Sequence, residues 1–176
     1  IDKIIICANP NIIDILKNIF KDYSKIVIIE GGATRQKSVF NGLKICDCDY
    51  VLIHDGARPM ISTELINQSI NIVKEKKALT TATKTIDTIK EVVDGKIVRT
   101  IDRSCLYNTQ TPQAFEYKLI KSAHEKLQGQ NFTDDAGMLE KLGYNVYILD
   151  GSYKNIKITT PEDIQIAETF LRSEKL

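Results

Sequence analysis

The stretch VLIHDGARP, Val51–Pro59, decides how this chain is read. Val51 to His54 have the length and composition of a buried strand. An acid, a glycine, an arginine and a proline follow without a spacer, and Ser62 or Thr63 then caps a helix expected to run to about Lys76. Strand, short loop and amphipathic helix form the repeating unit of an α/β domain with a mostly parallel sheet. Such sheets take ligands in the crevice beyond the carboxyl ends of their strands. Asp55, Gly56 and Arg58 fall at that edge.

The same unit recurs on both sides. IIICA (Ile4–Ala8) reads as a strand, and the helix after it puts Ile12, Ile15, Leu16 and Ile19 on one face. KIVIIE is a second strand ending in Gly31-Gly32, and a helix over Thr34–Ile45 follows with Val39, Phe40 and Leu43 on one side. Ala78–Ala82 gives a fourth strand. The alternation then breaks. TIDTIKEVVDGKIVRTIDR places alternating apolar and polar residues on both sides of Asp94-Gly95, which predicts a protruding hairpin arm over residues 84–104. Helices are expected at Phe115–Leu127, at the segment capped by Thr133 and ending at Gly143, and after Thr160-Pro161; strands are expected at Asn145–Leu149 and Asn155–Ile158.

Composition narrows the class. The 176 residues fit one domain, and a hydrophobic share of 43% supplies a sizeable core. Charged residues make up 27% and nearly cancel to +1, so no basic surface points to nucleic acid. No apolar run approaches the ~20 residues of a membrane span. Cys7, Cys46, Cys48 and Cys105 lack zinc spacing and read as reduced thiols of a cytoplasmic protein. No metal-ligand set and no Ser-His-Asp order is visible. His54 and His124 are isolated, with His124 placed on the surface.

Several residues could carry chemistry, each beside a plainer explanation. Arg58 is a fixed cation whose planar fork suits phosphate or carboxylate. Asp55 can pair with Arg58, bind a hydroxyl or help hold a metal; an internal salt bridge shaping the turn is the plainer account. Gly56 permits close backbone approach. GGATRQKS (Gly31–Ser38) opens a helix with a glycine-rich turn whose free N–H groups could meet an anion or a base edge, though an ordinary strand-to-helix turn explains it too. Lys157, in NIKITT, is either a solvated edge residue or a phosphate contact. TQTPQAF, Thr109–Phe115, reads as a helix cap with Thr111 before Pro112.

Taken in order, GGATRQKSVFNGL, VLIHDGARP, Asp87-Thr88, IDR at Ile101–Arg103, TQTPQAF, FTDDAGMLEKLG and NIKITTPEDI resemble the 2-C-methyl-D-erythritol 4-phosphate cytidylyltransferases over almost the whole chain. The sister ribitol-5-phosphate cytidylyltransferases share most of these stretches; TDDAGMLEKLG favours the methylerythritol enzymes. The resemblance implies a three-layer Rossmann-like nucleotidyltransferase domain with a mostly parallel mixed sheet and a β-hairpin arm. It implies transfer of CMP from CTP to a polyol phosphate with release of pyrophosphate, assisted by Mg²⁺ held mainly by the nucleotide phosphates, in a homodimer joined through the arm. By the same resemblance Gly32, Ala33, Ser38 and Gly56 contact the cytidine, with Ala33 standing where the family often has an acidic residue. Asp55 and Arg58 hold the sugar phosphate and its hydroxyls, and Lys157 stabilises the phosphates. Thr88 and Arg103 reach the neighbouring subunit's substrate, and Thr133 is a further substrate contact.

The chain opens on Ile1 and enters a strand that resembles the family's second. The resemblance therefore implies an absent first strand and glycine-rich loop with its arginine and Pro-Lys-Gln segment, ~50 residues by the size of a β-loop-α unit. On that expectation, residues 1–176 are one nucleotidyltransferase domain without half of its phosphate clamp, and inactive as they stand. A reading of another class is a non-catalytic nucleotide- or sugar-phosphate-binding module.

Overall fold

Strands and helices alternate through most of the chain, and a computed structural model describes them over residues 1–173. In chain order they are β1 (Ile4–Ala8), α1 (Ile13–Ile19), β2 (Ile26–Glu30), α2 (Arg35–Lys44), β3 (Tyr50–Ile53), α3 (Thr63–Lys76), β4 (Ala78–Lys84), β5 (Ile89–Val93), β6 (Lys96–Ile101), β7 (Tyr107–Glu116), α4 (Tyr117–Lys126), α5 (Ala136–Lys141), β8 (Tyr147–Asp150) and α6 (Pro161–Ser173). The chain forms two compact units, one of Ile1–Val51 with Phe115–Asn145, the other of Leu52–Ala114 with the chain from Val146 onward.

In the first unit β1 and β2 pair in parallel, from Ile4 opposite Ile26 to Ala8 opposite Glu30. Helix α2 begins where Thr34, in extended backbone, accepts a hydrogen bond from Lys37 N at 3.1 Å. Its Leu43 is buried, as are Ile120 and Ala123 of α4 and Met138 and Leu139 of α5. The expected buried stripe of the first helix is displaced. Ile12, Ile15 and Ile19 are 44%, 59% and 57% exposed, while Ile13, Leu16 and Phe20 are half-buried. A tighter 3-10 turn over Pro10–Ile12, capped by Asn9, precedes α1 and rotates the inward face by one residue.

In the second unit the sheet order is β3-β7-β4-β8, with β4 parallel to β8 from Leu79 opposite Tyr147 to Ala82 opposite Asp150. Helix α3 starts as its sequence predicts, with Leu65 N donating to Ser62 Oγ at 3.1 Å, and buries Leu65, Ser69 and Val73. It ends at Lys77, which takes the left-handed conformation with φ +67°. Asp94 (φ +49°) and Gly95 (φ +75°) join β5 to β6 in the predicted hairpin, two strands that among the described residues pair only with each other.

Two expectations fail here. TQTPQAF is not a helix cap; it forms the body of β7, and α4 starts later, at Tyr117. Its polar side chains are buried but satisfied: Gln113 Nε2 donates to Thr80 Oγ1 at 2.8 Å and Thr81 Oγ1 to the Pro112 carbonyl at 3.1 Å. Residues 155–158 are not a strand. They are held by side-chain bonds and by Ile158 N donating to the Ala57 carbonyl at 2.8 Å. Among the described residues no helix is long and apolar enough to cross a membrane.

Candidate functional site

Strand β3 ends in a turn that the second unit holds from several sides. Arg58 N donates to the Asp55 carbonyl at 2.9 Å, closing the turn. Asp55 N donates to Thr111 Oγ1 of β7 at 3.0 Å. The Asp55 carboxylate, 16% exposed, lies 3.2 Å from Lys157 Nζ, itself 44% exposed. Arg58 Nη1 donates to the Asn155 carbonyl at 2.8 Å and Nη2 to the Thr109 carbonyl at 3.4 Å, while its buried Nε has no partner among the described residues. Partial desolvation lowers the Arg58 pKa and the Asp55 charge opposes that, so the guanidinium stays protonated. A Cβ on Gly56 would meet nothing within 4 Å, which leaves that side of the turn open.

Asp55 and Lys157 thus come together beside Arg58, residues that the resemblance groups, but the support for Lys157 differs from expectation. Its segment is anchored by fully buried Asn155, whose Nδ2 donates to the Thr111 carbonyl at 2.8 Å and to Gln110 Oε1 at 3.3 Å. The salt bridge expected as the plainer role of Asp55 is made to Lys157; the Arg58 nitrogens point to carbonyls instead.

The glycine turn of the first unit borders a cleft of about 200 Å³ lined by Cys7, Ala8, Asn9, Pro10, Gly31, Gly32 and Ser38. Gly31 N donates to the Ala8 carbonyl at 2.8 Å, fixing the turn to the end of β1. Ser38 Oγ accepts from Gly32 N at 2.9 Å and donates to the Thr34 carbonyl at 3.0 Å, so this hydroxyl shapes the cleft wall. A Cβ on Gly32 would lie 2.3 Å from Lys37 Cβ, so any side chain there forces the start of α2 to shift. Ala33 is exposed beside it.

With this geometry in place, the family profile described as 2-C-methyl-D-erythritol 4-phosphate cytidylyltransferase matches residues 1–173. The chain belongs to that family. It is 47% identical over 182 aligned positions to the 2-C-methyl-D-erythritol 4-phosphate cytidylyltransferase of Clostridioides difficile, covering 99% of this chain and 77% of that protein. It is 46% identical to the enzyme of that name from Lachnoclostridium phytofermentans, covering 99% and 78%. The crystal structure of 4-diphosphocytidyl-2C-methyl-D-erythritol synthase from Anaerococcus prevotii superposes with a TM-score of 0.90 at 41% identity, covering 98% of this chain and 79% of that one. This cytidylyltransferase has the Rossmann-like mixed α/β nucleotidyltransferase fold of those relatives.

No contact among the described residues joins the remaining candidate residues of the cytidylyltransferase to the Asp55 turn. Thr88 is exposed at the base of the arm, and Arg103, also exposed, donates from Nη1 to the Ile86 carbonyl. Thr133 is exposed ahead of α5 and does not cap it; the N-cap is Asp135, without a side-chain cap bond, and Asp134 Oδ1 accepts from Gly137 N at 3.0 Å.

His124 is not on the surface. It is buried, 3.0 Å from Asp135 Oδ1, and stacked 5.8 Å from the Phe40 ring; Asp135 Oδ2 meets Arg35 Nη1 at 2.7 Å. His54 also has partners that its isolation in sequence concealed: Thr111 Oγ1 at Nδ1 and the Arg58 carbonyl at Nε2, each at 3.0 Å. All four cysteines are free, and desolvation pushes the Cys48 thiol up to about 11.

Proposed function

We propose that this chain, as a 2-C-methyl-D-erythritol 4-phosphate cytidylyltransferase, performs its CTP-dependent transfer with the Asp55 turn as the binding place of the polyol phosphate and the Gly31–Ser38 turn as that of the cytidine. An oxygen of the 4-phosphate attacks the α-phosphorus of CTP, the bond from that phosphorus to the bridging oxygen breaks, and pyrophosphate leaves with the electron pair. No covalent enzyme intermediate is needed, so the protein's task is to position two anions and offset their charge.

The observation that carries the reading is the Lys157–Asp55 pair at 3.2 Å beside the turn that holds Arg58. Two cations sit at one strand end, one on a half-exposed side chain that can exchange a carboxylate for a phosphate. Asp55, released from Lys157, then accepts from a polyol hydroxyl. The cleft beside Gly32, Ala33 and Ser38 admits backbone contacts to a base, and Gly56, by resemblance a nucleotide contact, presents an open face on its own turn.

On this reading the magnesium ion is held mainly by the nucleotide phosphates. Magnesium carried in this way would neutralise charge on the departing pyrophosphate. The arm supports a homodimer. Val92, Val93, Ile97 and Val98 are between 53% and 65% exposed on an isolated hairpin, an arrangement of marginal stability in water until another surface covers it. Thr88 and Arg103 would then reach the partner's substrate.

Turnover of the protein expressed from its complete coding sequence, with CTP and each of the two polyol phosphates, tests the reading. Transfer to methylerythritol phosphate with a clear preference over ribitol phosphate is expected. Preference for ribitol phosphate, or nucleotide binding without transfer, favours one of the alternatives. Light scattering at micromolar concentration should give twice the chain mass.

A further inference from the structure

His54 presents a hydrogen-bond chain whose directions are fully determined. The Arg58 carbonyl can only accept, so His54 Nε2 carries the proton in their 3.0 Å bond. In a neutral ring Nδ1 is then bare and accepts from Thr111 Oγ1 at 3.0 Å. The Thr111 hydroxyl has its proton directed at the ring and a lone pair left for Asp55 N, also at 3.0 Å. Backbone amide, hydroxyl, imidazole and backbone carbonyl are thus linked head to tail, beginning at Asp55 and ending at Arg58.

That chain starts and finishes on the two residues whose side chains the proposed reaction uses. Within residues 54–58 the turn is also closed by Arg58 N to the Asp55 carbonyl and tied at its middle by Ile158 N to the Ala57 carbonyl, at 2.9 and 2.8 Å. The backbone is therefore held at its entry, its middle and its exit. Holding the supporting frame still is what gives a phosphate site its geometry before the ligand arrives. A turn with only a structural duty would be adequately closed by the Arg58–Asp55 backbone bond. The imidazole adds a second closure across the same five residues and anchors it to β7.

We propose that His54, as the neutral Nε2–H tautomer, and Thr111 act together as positioning residues for Asp55 and Arg58. Neither touches substrate; both act by fixing the backbone from which the substrate-binding side chains leave. The inference rests on the assignment of the Asp55 turn to the polyol phosphate.

The test uses the protein expressed from its complete coding sequence and four variants: His54→Phe, Thr111→Val, the double variant and Thr111→Ser. For each, kcat, KM for CTP, KM for methylerythritol phosphate and the thermal midpoint are measured. His54→Phe and Thr111→Val should each lower kcat/KM for the polyol phosphate on the order of 10-fold or more, by misplacing the turn. The KM for CTP should stay within about twofold, a change too small to implicate the nucleotide contacts. Because the two residues form one chain, the double variant should be no worse than the more damaged single. Thr111→Ser, which keeps the hydroxyl, should recover most of the loss.

Midpoints that fall while all kinetic constants hold would reduce the chain to fold stabilisation, and losses that multiply in the double variant would show two independent residues. Either result overturns the proposal. If Thr111→Val does not fold, exposed His54 carries the test through His54→Phe alone. Arg58→Ala, run in parallel, separates the two levels. If it leaves polyol phosphate use intact, the assignment of the turn is wrong; if it cripples use while His54→Phe does not, only the positioning role fails.

Discussion

Arg35–Asp135–His124 and Lys157–Asp55 use similar chemistry in opposite surroundings. In the first, Asp135 and His124 are each 1% exposed at the side chain and one carboxylate serves two partners, at 2.7 and 3.0 Å. In the second, the carboxylate is 16% exposed and the ammonium 44%, 3.2 Å apart. A buried pair has no water to replace a lost partner, so breaking it is strongly destabilising. A pair open to water is worth little to the fold and can be exchanged at little cost. Burial, not the identity of the residues, assigns the first network to holding the molecule together and leaves the second, on the proposed reading, open to exchange with a phosphate.

The sharpest way to break this comparison is to remove one carboxylate from each side. Asp135→Ala should destabilise the protein by about 3 kcal/mol, the low end for a broken buried pair because Arg35 is one-third exposed. Urea unfolding measures this. A loss as large from Asp55→Ala, whose partner Lys157 is 44% exposed, would erase the distinction.

Activity should follow the reverse order. Arg58→Ala is expected to lower kcat on the order of 10²-fold, with Lys157→Ala similar and Lys157→Arg milder, since the charge survives with altered reach. Their unfolding midpoints should move little. An Arg58→Ala protein that unfolds but keeps its turnover per folded molecule would place Arg58 with the structural network instead.

Gly32→Ala should fall between the two classes. Its new Cβ would stand 2.3 Å from Lys37 Cβ and 2.8 Å from the Lys37 carbonyl carbon, so the first turn of α2 must shift. A stability loss of roughly 1–3 kcal/mol is expected from overpacking, together with a raised KM for CTP. An unchanged KM for CTP despite that loss would detach the cleft from the nucleotide.

The smallest effect concerns pH. Desolvation lowers the His54 pKa, opposed by its bond to the Arg58 carbonyl and by the nearby Asp55 charge. The unfolded ring, with its ordinary pKa near 6.5, therefore takes up a proton before the folded one does. The stability from neutral His54 is complete above about pH 6.5 and is lost as the pH falls through the lower folded value. Because the residue is exposed, the slope should be slight. Thermal midpoints of the native protein and His54→Gln between pH 7.5 and 5 should converge on acidification, and a constant gap would show that the ring does not titrate in this window.

What the sequence conveyed follows the range of the interactions. The arm was legible because Asp94-Gly95 is a local signal, and both residues take the positive φ that such a turn requires. Ser62 and Thr34 announced their helices in the same way. β7 was misread because Pro112 after a threonine is a good helix-start signal, whereas the bonds that satisfy this polar strand come from Thr80 and Thr81, some thirty residues earlier. The apolar alternation around Lys157 suggested a strand for want of any local sign of Asn155's partners on β7. Asp55 and Arg58 could be singled out by their place at a strand end. His54 could not, because Thr111 is 57 positions away.

Lys77 shows where this cytidylyltransferase carries slack. It closes α3 in left-handed backbone at φ +67°, a conformation that costs an ordinary side chain about 1 kcal/mol and glycine almost nothing. It is exposed, and no proposed ligand contact falls on it. Lys77→Gly removes that backbone cost at a place where no proposed ligand contact falls, and a thermal midpoint raised by the substitution with turnover unchanged is the expected result.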